Sequence, residues 1–309
     1  MSRRGKIAGH VLARPESSSA PGSDGFILVA VLWILAALAA LASVYAVYIA
    51  NTAIAVRIYD YRLQAQALVT AGLELTAFHL IGFDDQHRPT SGNFGFGLGR
   101  SQVDVEFRSE GARIDLNLAP KEMLYGLFAV LGVTPEDAQA YAERIIAWRT
   151  KPKPDAQNDE GAAYQSAGLS YGPRQAPFQS VAELRLVRGL PSELVDAALP
   201  FVTIFNGRAE IDVNEAAPQV VAALPRISPD AVANILNGRD PRNPEAVLRL
   251  IGPARASVAV GGRKATRAGV HVSLDTGRKV NAEVVLLITD NDSEPYHVLS
   301  WRDDFDGPI

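Results

Sequence analysis

Five histidines, His10, His79, His87, His271 and His297, are the side chains of this chain that ordinarily titrate near neutral pH, and so the first candidates for metal ligation or base catalysis. Their spacing matches no ligand set: a zinc site draws its ligands from short-spaced pairs, and these five are scattered. The chain has no cysteine, which removes thiolate metal sites, thiol nucleophiles and disulfides together. The glycine-rich stretch GFDDQHRPTSGNFGFGLGR, Gly82 to Arg100, lacks a Gly-Lys-Ser/Thr ending and reads as a loop rather than a phosphate cradle. Asp290-x-Asp292-x-Glu294 lacks the glycine and distal glutamate of a calcium loop and reads as a hairpin turn. No enzyme is expected from these residues.

The remaining chemistry is that of apolar surface. In GSDGFILVAVLWILAALAALASVYAVYIA, Gly22 to Ala50, no charged side chain occurs from Phe26 onward. At about 1.5 Å per residue that run crosses a hydrocarbon core of roughly 30 Å, and it exceeds the roughly 7–15 apolar residues of a secretory signal. A single membrane span is expected over 26–50. Arg3, Arg4, Lys6 and Arg14 outweigh Glu16 and Asp24 before it, so the N-terminus should stay cytoplasmic and the rest of the chain lie outside. The net charge of −4 gives no general electrostatic reason to bind nucleic acid.

The elements that follow alternate in character. From Arg57 to Leu80 no proline occurs, and Tyr61, Ala65, Leu68, Ala71, Leu75 and Phe78 recur at spacings of three and four, predicting that one helix continues from the span over 26–80. SQVDVEFRSEGARIDLN alternates as a hairpin should, with Val103, Val105 and Phe107 on one face and a turn near Glu110-Gly111. Two helices then flank Leu131-Gly132-Val133, with Asn117 as an N-cap and Pro135 opening the second. A linker rich in Pro, Lys and Asp runs to about Pro177, and further helices flank Gly189-Leu190-Pro191. The end of the chain returns to period two, from Val270 through the Asp275-Thr276-Gly277 turn to Trp301. ARIDLNLAP at Ala112 to Pro120 is echoed by AEIDVNEAA at Ala209 to Ala217, as if two small units each opened with a short strand and an asparagine cap.

A basic leader ending in Gly25, followed by Phe26 at the head of a long apolar helix, resembles a type IV pilin or type II secretion pseudopilin. Among these, RIDLNLAP, PFQSVAELRLVRGL and AEIDVNEAAPQVV resemble the minor pseudopilin K family, the large subunit of type II secretion systems. The resemblance implies an α+β fold: a type IV pilin-like long N-terminal helix packed on an antiparallel sheet, carrying a large inserted all-α domain similar to SAM or helix-hairpin-helix modules. It divides the chain into a prepilin leader (1–25), the helix (26–80), the first part of the core (81–113), the inserted domain (114–253) and the C-terminal strands (254–309). It further implies that prepilin peptidase cuts between Gly25 and Phe26 and methylates the new amine, and that Phe26 and Ala30 act in assembly. Most pilins carry glutamate where this chain has Ala30, the fifth residue of the mature form.

The implied function is capping the pseudopilus tip and initiating its assembly. The implied partners are minor pseudopilins resembling the I and J subunits, the major pseudopilin, prepilin peptidase and the inner membrane. Calcium is the one cofactor implied. The family's Trp-x-Asp and Gly-Ala-Glu-Asp pattern is answered here by AWRTKPKPDAQNDEGAAYQS, with Thr150 and Ala163 standing where carboxylates are expected, so Asp155, Asn158, Asp159 and Glu160 remain as oxygen ligands. The alternative is a membrane-anchored periplasmic protein in which SVAELRLVRGLPSELVDAAL is a nucleic-acid-binding helix-hairpin-helix.

Overall fold

The structure, a computed structural model, describes residues 23–84, 87–152, 160–240, 243–261, 265–289 and 293–305. The chain divides into two units, residues 1–61 and 62–309. Helix α1, Ser23–Ile81, begins in the first and ends in the second, without a break at Ala50 to Arg57. In the first unit every described residue is helical, and the large apolar side chains from Phe26 to Ile49 are exposed.

The second unit is built on a five-stranded antiparallel sheet in the order β1-β2-β7-β8-β9. Its strands are β1 (Ser91–Leu98), β2 (Ser101–Ser109), β7 (Ala265–Ser273), β8 (Lys279–Ile288) and β9 (Tyr296–Asp303). The expected strands thus share one sheet. Its first member differs from expectation: the glycine-rich stretch is strand β1, paired from Ser91↔Arg108 to Leu98↔Ser101, and the hairpin turns at Gly99-Arg100 rather than at Glu110-Gly111. Glycines lower strand propensity, but Phe94 and Phe96 still alternate toward α1 and the backbone ladder needs no side chain.

One face of the sheet is covered by the last turns of α1, where Ala65, Leu68, Val69, Leu73, Ala77 and Leu80 are buried. The buried line departs from the expected stripe, because Leu75 is 37% and Phe78 74% exposed. Small residues decide which side faces in. A Cβ built on Gly72 would lie 3.1 Å from Val105 and 3.2 Å from Val270, so the helix comes closest where its side chain is absent. Thr76, next along that line, satisfies its buried hydroxyl by donating to the Gly72 carbonyl at 2.8 Å.

Between β2 and β7 the chain leaves the sheet and builds a lobe around its own core, in which Ile114, Leu127, Ile145, Tyr164, Val220 and Ile235 are buried. The lobe is mostly helical, with α2 (Lys121–Val130), α3 (Pro135–Arg149), α4 (Glu160–Ser166), α5 (Ser192–Ala198), α6 (Pro218–Ala222) and α7 (Pro229–Asn237). It is not all-α. Two-residue strands β3 (Ile114–Asp115) and β4 (Val202–Thr203) pair in parallel, as do β5 (Ile211–Asp212) and β6 (Val258–Ala259).

Each pair closes one copy of the sequence echo. Asp115 accepts from the Asn117 amide at 2.8 Å and Asp212 from the Asn214 amide at 3.0 Å. Neither asparagine caps the next helix, as the sequence led one to expect: the N-caps of α2 and α6 are Pro120 and Ala217. Their amide groups instead reach across the unit, Asn117 Nδ2 to the Phe178 carbonyl at 3.0 Å and Asn214 Nδ2 to the Pro244 carbonyl at 3.2 Å. An arginine at or just past the end of the second helix then returns to the turn. Arg149 donates to the Ala119 carbonyl and Arg239 to the Ala216 carbonyl, each at 2.6 Å. Burial pushes the Asp115 carboxyl up, against amides of Gly207 and Asn117 that pull it down.

The two copies meet at Gly126. A Cβ there would stand 2.2 Å from the Ala223 carbonyl oxygen, so α2 touches backbone that has no rotamer with which to yield. Helix propensity alone would favour Gly126→Ala by about 1 kcal/mol. Overpacking of roughly 1–3 kcal/mol opposes it. The variant is expected to unfold at lower denaturant concentration than the parent, and a gain in stability would contradict this contact.

Candidate functional site

Two features of α1 could do work. Around the expected processing point Phe26 is 76% exposed, Ala30 is half-buried, and no Asp, Glu, Lys, Arg or His lies between Phe26 and Ala50. In the second unit Leu63, Ala67, Ala71, Phe78 and Ile81 follow helical spacing on the side away from the sheet, with Leu63 58% and Ile81 43% exposed. Such a stripe performs no reaction. It can bury itself against another helix or an apolar surface.

Where the lobe joins the sheet the chemistry is ionic. Glu110, the first residue after β2, is buried and accepts from Arg267 of β7 through Nε at 2.7 Å and Nη2 at 3.2 Å. Thr203 of β4 donates to the same carboxylate. Arg267 also donates to Glu283 of β8, which in turn accepts from Arg302 of β9. Burial works against the Arg267 charge, but Glu110 and Glu283 raise its pKa overall. Burial would push the Glu283 carboxyl up, yet Arg267 and Arg302 hold it below its ordinary value. A polar cavity of about 400 Å³ opens beside this cluster, lined in part by Asn93, Arg108 and Arg113. No spacing rule flags Glu110 or Arg267, which stand far apart in the chain; the available signal is a charged residue within an otherwise apolar strand pattern.

The stretch from α3 to α5 carries the residues singled out for calcium. Asp155, Asn158 and Asp159 lie outside the described residues, as do His10, Asp290 and Asp292. Glu160 opens α4 and accepts from Arg188 Nη2 at 3.1 Å. Among the described residues no group of three metal-ligating side chains converges. The described histidines are dispersed: His79 sits 5.1 Å from the Phe94 ring, His87 lies 2.8 Å from Asp84, His271 pairs with Asn281 at 2.8 Å, and His297 stands 3.7 Å from Glu294.

The sequence also contains Gly168-Leu169-Ser170-Tyr171-Gly172, the pattern of a hydrolase nucleophile elbow, which the histidine argument does not address. Ser170 is exposed in irregular chain after α4 rather than on a strand-to-helix turn, so the context of that motif is missing. At the Gly189-Leu190-Pro191 turn, the Arg188 amide is taken by the Tyr164 hydroxyl at 2.9 Å and the Leu190 amide by the Val187 carbonyl at 3.2 Å. Those amides are not free to meet phosphate.

Similarity to known proteins follows the same part of the molecule. Residues 109–207, from the end of β2 to just beyond β4, match the family model of type II secretion system (T2SS) protein K. The chain is 31% identical over 116 residues to the type II secretion system protein K of Pseudomonas aeruginosa, which takes in 37% of this chain and 34%, about a third, of that protein. In fold it is similar to a chain of the crystal structure of the GspK-GspI-GspJ complex from the enterotoxigenic Escherichia coli type 2 secretion system. The TM-score is 0.59 at 17% identity, over 79% of this chain and 95% of that one. The stretch matched by that family model thus begins where the ionic cluster lies.

Removing Arg267 would leave Glu110 buried without its guanidinium. Arg267→Ala is expected to lower unfolding free energy by about 3–5 kcal/mol, and Arg302→Ala, whose partner lies nearer solvent, by less than about 1 kcal/mol. The depressed Glu283 carboxyl adds stability above its unfolded pKa of about 4.3, lost as pH falls through the lower folded value. The stability gap between parent and Glu283→Gln should therefore close in acid. Denaturant unfolding at neutral pH and near pH 3 measures both, and equal effects of the two arginine variants would contradict the assignment.

Proposed function

We propose that this chain is a minor pseudopilin of a type II secretion system that caps the pseudopilus tip and helps initiate its assembly. Several features support the reading: the match of residues 109–207 to the protein K family model, the pilin-like union of a long helix with an antiparallel sheet, and the exposed apolar length of α1. In this account 26–50 anchors the chain once in the inner membrane, with a cytoplasmic leader and a periplasmic second unit. Prepilin peptidase removes the leader after Gly25 and methylates Phe26. The outward stripe of α1 packs on minor pseudopilins resembling the I and J subunits and on the major pseudopilin. The protein works by packing, without catalysis or nucleic acid.

The observation that carries the tip assignment is Ala30. A glutamate at that place can neutralise the N-terminal amine of a neighbouring subunit in the low-dielectric filament core. A subunit with nothing stacked above it has no amine to neutralise. The lobe points the same way, since a detour of that size between β2 and β7 is hard to repeat at every level of a narrow filament.

Ala30→Glu tests this. Without a partner amine, an ionised carboxylate in lipid costs at least about 2.5 kcal/mol. The variant is expected to initiate fewer pseudopili and reduce secretion, with Ala30→Gln, which adds bulk without charge, less affected. Efficient incorporation of Ala30→Glu along the filament shaft would sink the tip assignment.

A further inference from the structure

The calcium implied for the lobe meets an environment that does not suit it. Calcium takes six to eight oxygen ligands, several of them carboxylates. Thr150 and Ala163 stand at two positions where carboxylates are expected, and the Ala163 side chain has no oxygen to offer. Glu160, the described carboxylate among the remaining candidates, is already engaged by Arg188 at 3.1 Å. That guanidinium lies 5.8 Å from the centre of the Tyr164 ring, so it is held from two sides and places a positive charge where a divalent ion would have to approach. Arg188 Nε is buried with no hydrogen-bond partner among the described residues. A bare N–H donor asks for an oxygen acceptor, and a cation is the wrong neighbour for it.

We propose that Arg188 is the built-in cation of this lobe: it takes over the fastening that a divalent ion would perform, and the lobe folds without calcium. The residue is placed for that work. Besides its ion pair with Glu160 at the head of α4, its amide donates to the Tyr164 hydroxyl at 2.9 Å and its carbonyl accepts from Arg144 of α3 at 3.3 Å. One residue thereby joins α3, α4 and the turn before α5. Burial pushes the Tyr164 phenol up, so it remains a neutral hydroxyl against which the guanidinium can stack. The second carboxylate facing this crossover, Glu183, is likewise met by the protein's own donors, Arg174 Nη1 at 3.4 Å and Trp148 Nε1 at 3.2 Å. The ring stack of Trp148 and Phe178, with centroids 6.1 Å apart, completes an internally held crossover.

This inference concerns the lobe alone and stands or falls independently of the filament reading. The test uses the full chain in detergent, followed by thermal melting and calorimetric titration with calcium chloride. The parent should melt at the same temperature in millimolar calcium and in chelator, and calcium should release no binding heat. Arg188→Gln should melt roughly 3–8 °C lower in both media. Arg188→Lys should recover part of that loss, since it keeps the charge and gives up the planar fork. A calcium-dependent rise in the parent's melting temperature, or saturable calcium binding to it at or below about 1 mM, would overturn the proposal. So would an Arg188→Gln variant that melts with the parent. The parent's response decides the matter even where the glutamine variant fails to fold.

Discussion

The contact between Glu110 and Arg267 joins residues 157 positions apart, and the architecture of the second unit depends on it. Strands β2 and β7 are neighbours in the sheet, yet the whole lobe is threaded between them. Closing so long a loop costs chain entropy, though the cost grows only with the logarithm of length. What cannot be spread over the loop is the geometry of the exit and the return, and the ion pair fixes both ends at once. Its setting matters more than its charge. Glu110 and Arg267 are withdrawn from water, where unpaired ions are costly, so each is committed to the other, and Thr203 brings the lobe's own strand β4 to the same carboxylate. The lobe is therefore tied to the sheet at three points of the chain rather than hung from it by linkers.

Within the lobe the same economy is repeated. Each Asp-x-Asn turn leaves a short strand, and an arginine from the end of the second helix or just past it closes the turn's carbonyls. These polar clasps replace longer sheets and helix caps. They also explain how short helices such as α6, five residues long, hold their place: isolated helices of that length do not form in water, so tertiary contact must supply the stability. Gly126 marks where the two copies come together closely enough to exclude a methyl group.

Much of this was legible in the residues. The apolar run, the helix unbroken by proline, the alternating strands after Val270 and the Ile-Asp-x-Asn echo all report local periodicity, and local periodicity survives into the fold. Three features did not. Strand β1 was hidden by its glycines, because propensity scores side chains while the ladder is made by backbone. The inward face of α1 is legible at Ala65 and Leu68 but not at its end, where close approach rewards Gly72 and Thr76 over the bulkier Leu75 and Phe78. Asn117 looked like a cap because asparagine prefers that place, but its side chain met the Phe178 backbone, a partner 61 residues away that no window contains. The ionic clasp and Arg188 belong to the same class. They are decided by which distant segments meet, and only the fold supplies that.

The account makes α1 both anchor and assembly surface, and this requires that it begin at one particular residue. A peptidase cut after Gly25 exposes Phe26 as the first residue, places Ala30 fifth, and leaves an apolar helix with no charge of its own up to Ala50. Intact-mass and N-terminal fragmentation of the chain purified from membranes of cells carrying its secretion system tests this most directly. The account predicts a chain beginning at N-methylated Phe26, with the unprocessed form accumulating when Gly25 is replaced by a bulky residue. A mature chain that begins at Met1, or at any residue inside the span, would contradict it.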